Sequence, residues 1–258
     1  MSDPNDYNTV SATFDRRYEI NPLSGVEEEL RNLVAEIGAR RVLEVGCGTG
    51  RWLKTLAPHV EWIVGLDSSS GMLGRALDRP GPIKLVRGSA DSLPFSGSLF
   101  DLLFVVNALH HFSDKRGFIE RARHLLRPGG ALAAIGLDVP SAIGRWVIYD
   151  YFPAAIEYDQ SRFPPWEEVR SWMGAAGLAV RPLRTVERIR SERRGRAILD
   201  DHFIQRHGTS QLMSLTDAQY QAGIDRIQSA IAEAEARGEE ALFRSELQLK
   251  MAVGRVQG

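Results

Sequence analysis

The chain has 258 residues, 25% of them charged and 43% hydrophobic, and its formal net charge is −1. That length suits one large α/β domain with embellishments and not two full enzymes, and near-neutral charge gives no general pull toward nucleic acid or an anionic membrane. One cysteine, Cys47, forbids an intrachain disulfide; with no charged-then-apolar leader and no apolar run of the roughly 18–20 residues that span a bilayer, a cytoplasmic location is expected.

Residues 1–22 are polar with scattered aromatics, Tyr7, Phe14 and Tyr18, and read as an arm that needs a body to lie on. Ser24-Gly25-Val26-Glu27 has capping-box spacing, and Val26, Leu30, Leu33, Val34 and Ile37 recur at helical intervals, which predicts a helix over 25–37. The run 41–45 is a buried-type strand that feeds Gly46-Cys47-Gly48-Thr49-Gly50 and a helix over 50–57. Trp62 to Leu66 is the second strand, ending in Asp67 and a serine triplet that opens a helix over 69–77. Pro80-Gly81-Pro82 breaks it, Ile83–Val86 is the third strand, and Phe100–Val106 is the fourth, apolar on both faces. Ser113 is read as the cap of a helix reaching about 126, and Pro128-Gly129-Gly130 turns the chain into a fifth strand, 131–137. Strands alternating with helices in this way predict a doubly wound parallel sheet.

Beyond residue 140 the texture changes. Trp146, Tyr149, Tyr151, Phe152, Tyr158, Phe163 and Trp166 crowd into 146–166, and Pro164-Pro165 starts a helix that ends near Gly177. A sixth strand is expected over 178–189, interrupted at Pro182. Residues 190–238 read as helical, with Thr216-Asp217-Ala218-Gln219 as a second capping box. The arginines at 181, 184, 188, 190, 193, 194 and 196 read as a solvated helix face, or else as an anion site. Leu247, Leu249, Met251 and Val253 alternate with polar or small residues, the period of a half-covered strand closing the sheet antiparallel. The expected organisation is one domain over 1–258. It has an arm and helix at 1–38, a core at 39–140, lid insertions at 141–177 and 190–238, and a final strand at 241–256, giving a seven-stranded, mostly parallel sheet.

The glycines carry the functional argument. A dinucleotide fingerprint spaces them G-x-G-x-x-G, whereas here Glu44 stands two residues before Gly46, Gly48 and Gly50. A carboxylate at a strand's C-terminal end repels a pyrophosphate and suits a ligand bearing a cation. On these residues the stretch 42–50 resembles the first motif of the class I S-adenosylmethionine-dependent methyltransferases. The likeness continues through Asp67, through Gly88-Ser89-Ala90-Asp91-Ser92-Leu93-Pro94-Phe95, through Asn107-Ala108-Leu109-His110-His111 and through Leu126-Arg127-Pro128-Gly129-Gly130. Its flavour is that of the small-molecule, ubiquinone/menaquinone-type branch, with a Rossmann-like fold.

The resemblance implies S-adenosylmethionine as cofactor. It implies backbone approach at Gly46, Gly48 and Gly50, Glu44 on the ammonium group and Asp67 at the ribose hydroxyls, with Cys47 and Ser68 also among the cofactor-binding residues. Met72 would lie on the adenine face, with Ser89, Ala90 and Asp91 at its edge and the Asn107 carbonyl beside the methionyl part. Many relatives carry aspartate where this chain has Ser89, which moves the adenine amino contact toward Asp91. Cys47 reads as a small residue that fits its loop and not as a nucleophile. His111 is the candidate general base, with packing as the competing role. No metal is implied. The sequence lacks the Asn/Asp-Pro-Pro-aromatic signature of amino-methyltransferases and a cysteine placed for cytosine-C5 chemistry, so a small-molecule acceptor is expected and a nucleic acid is not.

Overall fold

The computed structural model describes residues 7, 11–12, 14–77, 83–139 and 146–257. The Pro80-Gly81-Pro82 break and the first residues of the 141–177 insertion lie outside the described residues. Helices α1 (Arg16–Ile20) and α2 (Ser24–Ile37) precede β1 (Arg41–Val45), α3 (Arg51–Leu56), β2 (Trp62–Asp67), α4 (Ser70–Leu77), β3 (Ile83–Arg87) and β4 (Phe100–Val106). Then come α5 (Lys115–Leu125), β5 (Leu126–Leu137), α6 (Val147–Tyr151), α7 (Ala154–Arg162), α8 (Trp166–Ala175), β6 (Leu178–Val180), β7 (Arg184–Arg194), α9 (Ser210–Met213), α10 (Asp217–Ala236) and β8 (Leu242–Val256).

Among the described residues the strands form one sheet ordered β3-β2-β1-β4-β5-β8-β6, with β7 also paired to β8. Strands β1 to β5 are parallel, and β8 runs antiparallel to β5, β6 and β7. The parallel strands are apolar on both faces because helices cover both. Val42, Leu102 and Phe104 pack with Val26, Leu30 and Leu33 of α2. Their neighbours Leu43, Leu103 and Val105 pack on the opposite side with Phe118 of α5 and Val169 and Met173 of α8. Because β1 lies between β2 and β4, the strand order reverses direction there, and a crevice opens at the carboxyl ends of β1 and β4.

The expected seven strands become eight. Pro182 cannot donate to a ladder, so the predicted 178–189 strand divides into β6 and β7, and β7 then runs to Arg194, inside the stretch read as helical. The cause is long-range: β8 is 15 residues long and pairs Leu242–Met251 with β7 while Gly254–Val256 pair with β6. The arginine run is therefore a strand face for most of its length, and most of its charge is matched: Arg181 by Glu36, Arg184 by Glu29, Arg190 by Glu246 and Arg196 by Glu235. Two helix starts also differ from expectation. The Ser24 side chain makes no capping bond, because Leu23 is left-handed (φ 53°) and Glu187 of β7 instead accepts from the Gly25 N–H at 2.8 Å. Asp114, not Ser113, caps α5 by accepting from the Gly117 N–H at 2.8 Å. The Thr216 capping box forms as predicted.

A third apolar cluster, separate from the two sheet faces, joins Trp146, Ile148, Phe152, Ile198, Ile204, Leu212, Ile227 and Phe243 into a cap over the carboxyl end of the sheet. At its centre a Cβ on Gly223 of α10 would stand 2.1 Å from Phe152 Cδ1. Gly223→Ala gains about 1 kcal/mol of helix propensity but overpacks a filled site at a cost of about 1–3 kcal/mol. The clash wins: a thermal melt is expected to show a Tm lower by several degrees.

Candidate active site

The crevice is continuous with a cavity of about 870 Å³ that extends from the glycine loop to the cap. The loop leaves β1 through Gly46, Gly48 and Gly50, all left-handed (φ 74°, 52° and 73°). Gly46 and Cys47 both donate to the Leu66 carbonyl, at 2.7 and 3.1 Å, which ties the loop to β2. At Gly46 the requirement is double, since a Cβ would also lie 2.5 Å from the Ala108 Cβ beyond β4. Cys47 fills the space left by Gly65, where a Cβ would come 2.8 Å from its sulfur. Burial raises its thiol well above the usual range, so it is an inert packing residue.

The predicted cofactor residues come together. Glu44, Gly46, Cys47, Gly48, Asp67, Ser68, Met72, Ser89, Ala90, Asp91 and Asn107 all line the cavity, as does His111. Gly50 does not. It turns the chain into α3, and its N–H bonds the Cys47 carbonyl at 2.9 Å. Glu44 is 1% exposed, and its Oε2 is buried with no hydrogen-bond partner. Burial, reinforced by the Asp67 charge, holds its carboxyl well above the ordinary range. Asp67 accepts from the Gly48 N–H at 2.8 Å and the Ser69 N–H at 2.9 Å, bracing the loop. Burial raises its pKa against the lowering effect of those bonds. Asn107 is left-handed (φ 50°), and its N–H reaches the Ile135 carbonyl at 2.8 Å, which fixes the chain where it leaves β4. Asp91 accepts from the Ser113 hydroxyl and from the Asp114 N–H at 3.1 Å; its carboxylate thus anchors the Ser89–Ala90 loop to α5.

At the other end His110 stacks on Phe163 with ring centroids 4.0 Å apart and serves packing. His111 opens onto the cavity and shares a 2.9 Å hydrogen bond between Nε2 and the Tyr7 hydroxyl. The residue keeps an exposed surface, while desolvation of the ring and, after it, the charges of Arg162, Lys115 and Arg17 pull its pKa down to about 3. A group of that basicity is neutral at physiological pH and a weak proton acceptor.

The arm supplies residues whose placement the sequence does not reveal. Tyr7, Phe14, Tyr18 and Trp52 form an edge-to-face series with successive centroids 6.0, 6.2 and 6.1 Å apart, and Arg17 lies 3.9 Å over the Phe14 ring. The Thr49 hydroxyl of the loop donates to Asp15. The arm's aromatic spacing was visible, but its partner, the glycine loop, was not. Arg162, Ser210 and Gln211, also on the cavity wall, carry no local pattern that marks them.

A Rossmann-like α/β sheet with an acid and glycines at the switch point, an acid at the end of β2 and a cap over both defines a nucleotide-binding methyltransferase fold. A family profile described as a methyltransferase domain matches residues 42–130. A demethylmenaquinone methyltransferase of Thermotoga maritima is 38% identical over 112 residues, 42% of this chain and 48% of that protein. The match thus spans about half of that relative's length. An uncharacterized methyltransferase of Synechocystis sp. is 31% identical over 148 residues, 57% of this chain and 68% of that one. Phosphoethanolamine N-methyltransferase 2 of Haemonchus contortus, solved with S-adenosyl-L-methionine, superposes with a TM-score of 0.62 at 14% identity, over 100% of this chain and 61% of that one. The chain belongs to the class I S-adenosylmethionine-dependent methyltransferase family, whose cofactor is S-adenosylmethionine.

The residues present fit that cofactor. The buried, unpartnered Glu44 Oε2 offers an acceptor to an ammonium group, and at Gly46 the backbone is bare. Among the described residues no helix is long and apolar enough to cross a membrane, and no group of three or more His, Cys, Asp or Glu could hold a metal ion.

Proposed function

We propose that the chain transfers a methyl group from S-adenosylmethionine to a small organic acceptor bound in the same cavity. The observation that carries this reading is the continuity of the space. At about 870 Å³ it lies near the top of the roughly 300–1,000 Å³ range of small-ligand sites, large enough for a nucleoside and a second small molecule. The cofactor supplies an activated methyl on a sulfonium, so the chain's own task is to align the acceptor and exclude water.

In this reading Glu44 holds the ammonium group, the Gly46 and Gly48 backbone lies along the methionyl and ribose portions, and Asp67 accepts from the ribose hydroxyls. Met72 and the Ala90 N–H flank the adenine, and the Asn107 carbonyl faces the methionyl part. Asp91 keeps the adenine loop in place. His111, bonded to Tyr7 at the far end of the cavity, orients the acceptor. Like the chain's place in the cytoplasm, these assignments are proposals. They are tested by incubating the protein with methyl-labelled S-adenosylmethionine and a small-molecule extract: label in a low-mass product supports the reading, and label found only in RNA or protein contradicts it.

Glu44 gives a pH signature. Its carboxyl is raised in the free protein, and a bound ammonium group favours the ionised form. Binding of S-adenosylhomocysteine therefore releases a proton wherever Glu44 is protonated beforehand, and affinity rises with pH until the free-state pKa is passed. Calorimetry in two buffers of different ionisation enthalpy reads the released proton, and Glu44→Gln is expected to abolish the release.

A further inference from the structure

The acceptor half of the cavity holds a cation that the cofactor reading leaves without a task. Arg162, the last residue of α7, is 9% exposed and lines the cavity. Its Nε and Nη2 donate to Asp159 Oδ1 at 2.9 and 2.7 Å, and Nη2 donates again to the Ser210 hydroxyl at 2.8 Å. The rings of Tyr158 and Phe163 lie 4.5 and 5.1 Å from its Cζ. A guanidinium has five N–H donors; three are used, and Nη1, with two, is buried with no partner.

Asp159 is 0% exposed and fully engaged. Besides Arg162 it accepts from the Tyr149 hydroxyl at 2.5 Å and from Gln211 Nε2 at 2.8 Å. It thus fixes the guanidinium in one orientation and has no capacity left for a ligand cation. Arg17, on the same cavity wall, also keeps a buried Nε without a partner. Of the other two arginines on the cavity wall, Arg193 is paired with Asp201 at 2.8 Å, and Arg51, beside the glycine loop, donates to the Pro22 carbonyl while its Nε is likewise buried without a partner. Asp159 answers Arg162 and Asp201 answers Arg193, so among these five residues the charge of Arg17 is in excess. Buried arginine N–H groups without acceptors cost free energy, and an oxyanion removes that cost with charge-assisted bonds in the planar geometry a guanidinium presents.

We propose that the methyl acceptor carries an anionic substituent, a carboxylate or a phosphate, recognised by Arg162 where Asp159 and Ser210 hold it, with Arg17 adding its charge across the cavity. The proposal rests on the methyltransferase reading for the word acceptor; the anion site itself is a property of this wall. It makes the cap a selectivity device: Phe163 and Tyr158 enclose an apolar body, and Arg162 chooses among bodies by charge.

The test uses three probes of one size: phenyl phosphate, phenylacetate and the neutral phenylacetamide. Each is titrated calorimetrically into the full chain with and without S-adenosylhomocysteine. The wild type is expected to bind one of the anions about tenfold or more tightly than the amide, and whichever anion leads identifies phosphate or carboxylate. Arg162→Gln leaves Asp159 buried without its cation and risks the fold, so the decisive variant is Asp159→Asn/Arg162→Gln, in which the pair is neutral; its anion preference is expected to vanish, whereas Arg162→Lys retains part of it. An amide that binds wild type as well as both anions do, or a preference that survives in the double variant, overturns the proposal. Absent nucleoside binding with a persisting anion preference would instead count against the cofactor reading alone.

Discussion

Asp67→Ala is expected to weaken S-adenosylhomocysteine binding by more than about tenfold while leaving the unfolding temperature within a few degrees of wild type. Two ribose hydroxyls on one carboxylate are charge-assisted bonds, each worth about 1.5–3 kcal/mol, so losing the pair has room for a large effect. The loss also frees the Gly48 N–H, which the carboxylate now holds at 2.8 Å. Stability behaves differently because two contributions oppose. Removing the carboxylate gives up its bonds to Gly48 and Ser69, at about 1 kcal/mol each. It also removes a buried charge whose pKa is raised. A carboxyl with a folded-state pKa above its unfolded value destabilises the fold once pH exceeds both, so its removal at pH 7 returns part of the cost. Calorimetric titration and a thermal melt on the same sample separate the two; unchanged affinity would show that the end of β2 does not meet the ligand.

The second large effect is at Gly46. Gly46→Ala puts a Cβ on a residue at φ 74° and within 2.5 Å of the Ala108 Cβ. A left-handed alanine costs about 1–3 kcal/mol and overpacking a rigid contact a further 1–3 kcal/mol or so. Neither Ala108 nor the backbone beneath it is a flexible end that can swing away, so the loop must move. Nucleoside binding is expected to be lost and the Tm to fall by about 5–10 °C. Gly48→Ala is the control: its φ is also positive, at 52°, but the nearest atom to the new Cβ is Phe14 Cε1 at 3.9 Å. Only the conformational cost applies there, and the melt should fall by less. Equal melts for the two variants would mean that contact with Ala108 is not what fixes the loop.

These two residues belong to the part of the molecule that its sequence makes legible. Strands β1, β2 and β4 are short apolar runs because helices cover both their faces, and the glycines and Asp67 stand at fixed offsets from those strands. Local pattern and global position therefore agree. Past residue 140 they part. The segment around Arg188, Ile189 and Arg190 alternates between covered and open positions as a strand. Its arginines and glutamates carry weak strand preference, however, and the state is decided by β8, some 60 residues away in sequence. Asp159 and Arg162 look like ordinary solvated residues three apart on a helix. Their burial depends on Tyr149 and on Ser210 and Gln211 arriving from α9. His111 shows the same division: its place after β4 is legible, but its basicity is set by burial and by the charges of Arg162, Lys115 and Arg17, which come from separate segments. What the sequence declares is the donor side, built from contiguous motifs. The acceptor side is assembled from distant segments.

The central claim is that the site at the ends of β1 and β2 is built for a cationic amino-acid nucleoside and not for a dinucleotide. Parallel calorimetric titrations of the full chain with S-adenosylhomocysteine and with NAD test it most directly. Saturable 1:1 binding of S-adenosylhomocysteine that Asp67→Ala weakens is expected, with no heat from NAD at the same concentrations. Tight binding of NAD with no response to S-adenosylhomocysteine would contradict it.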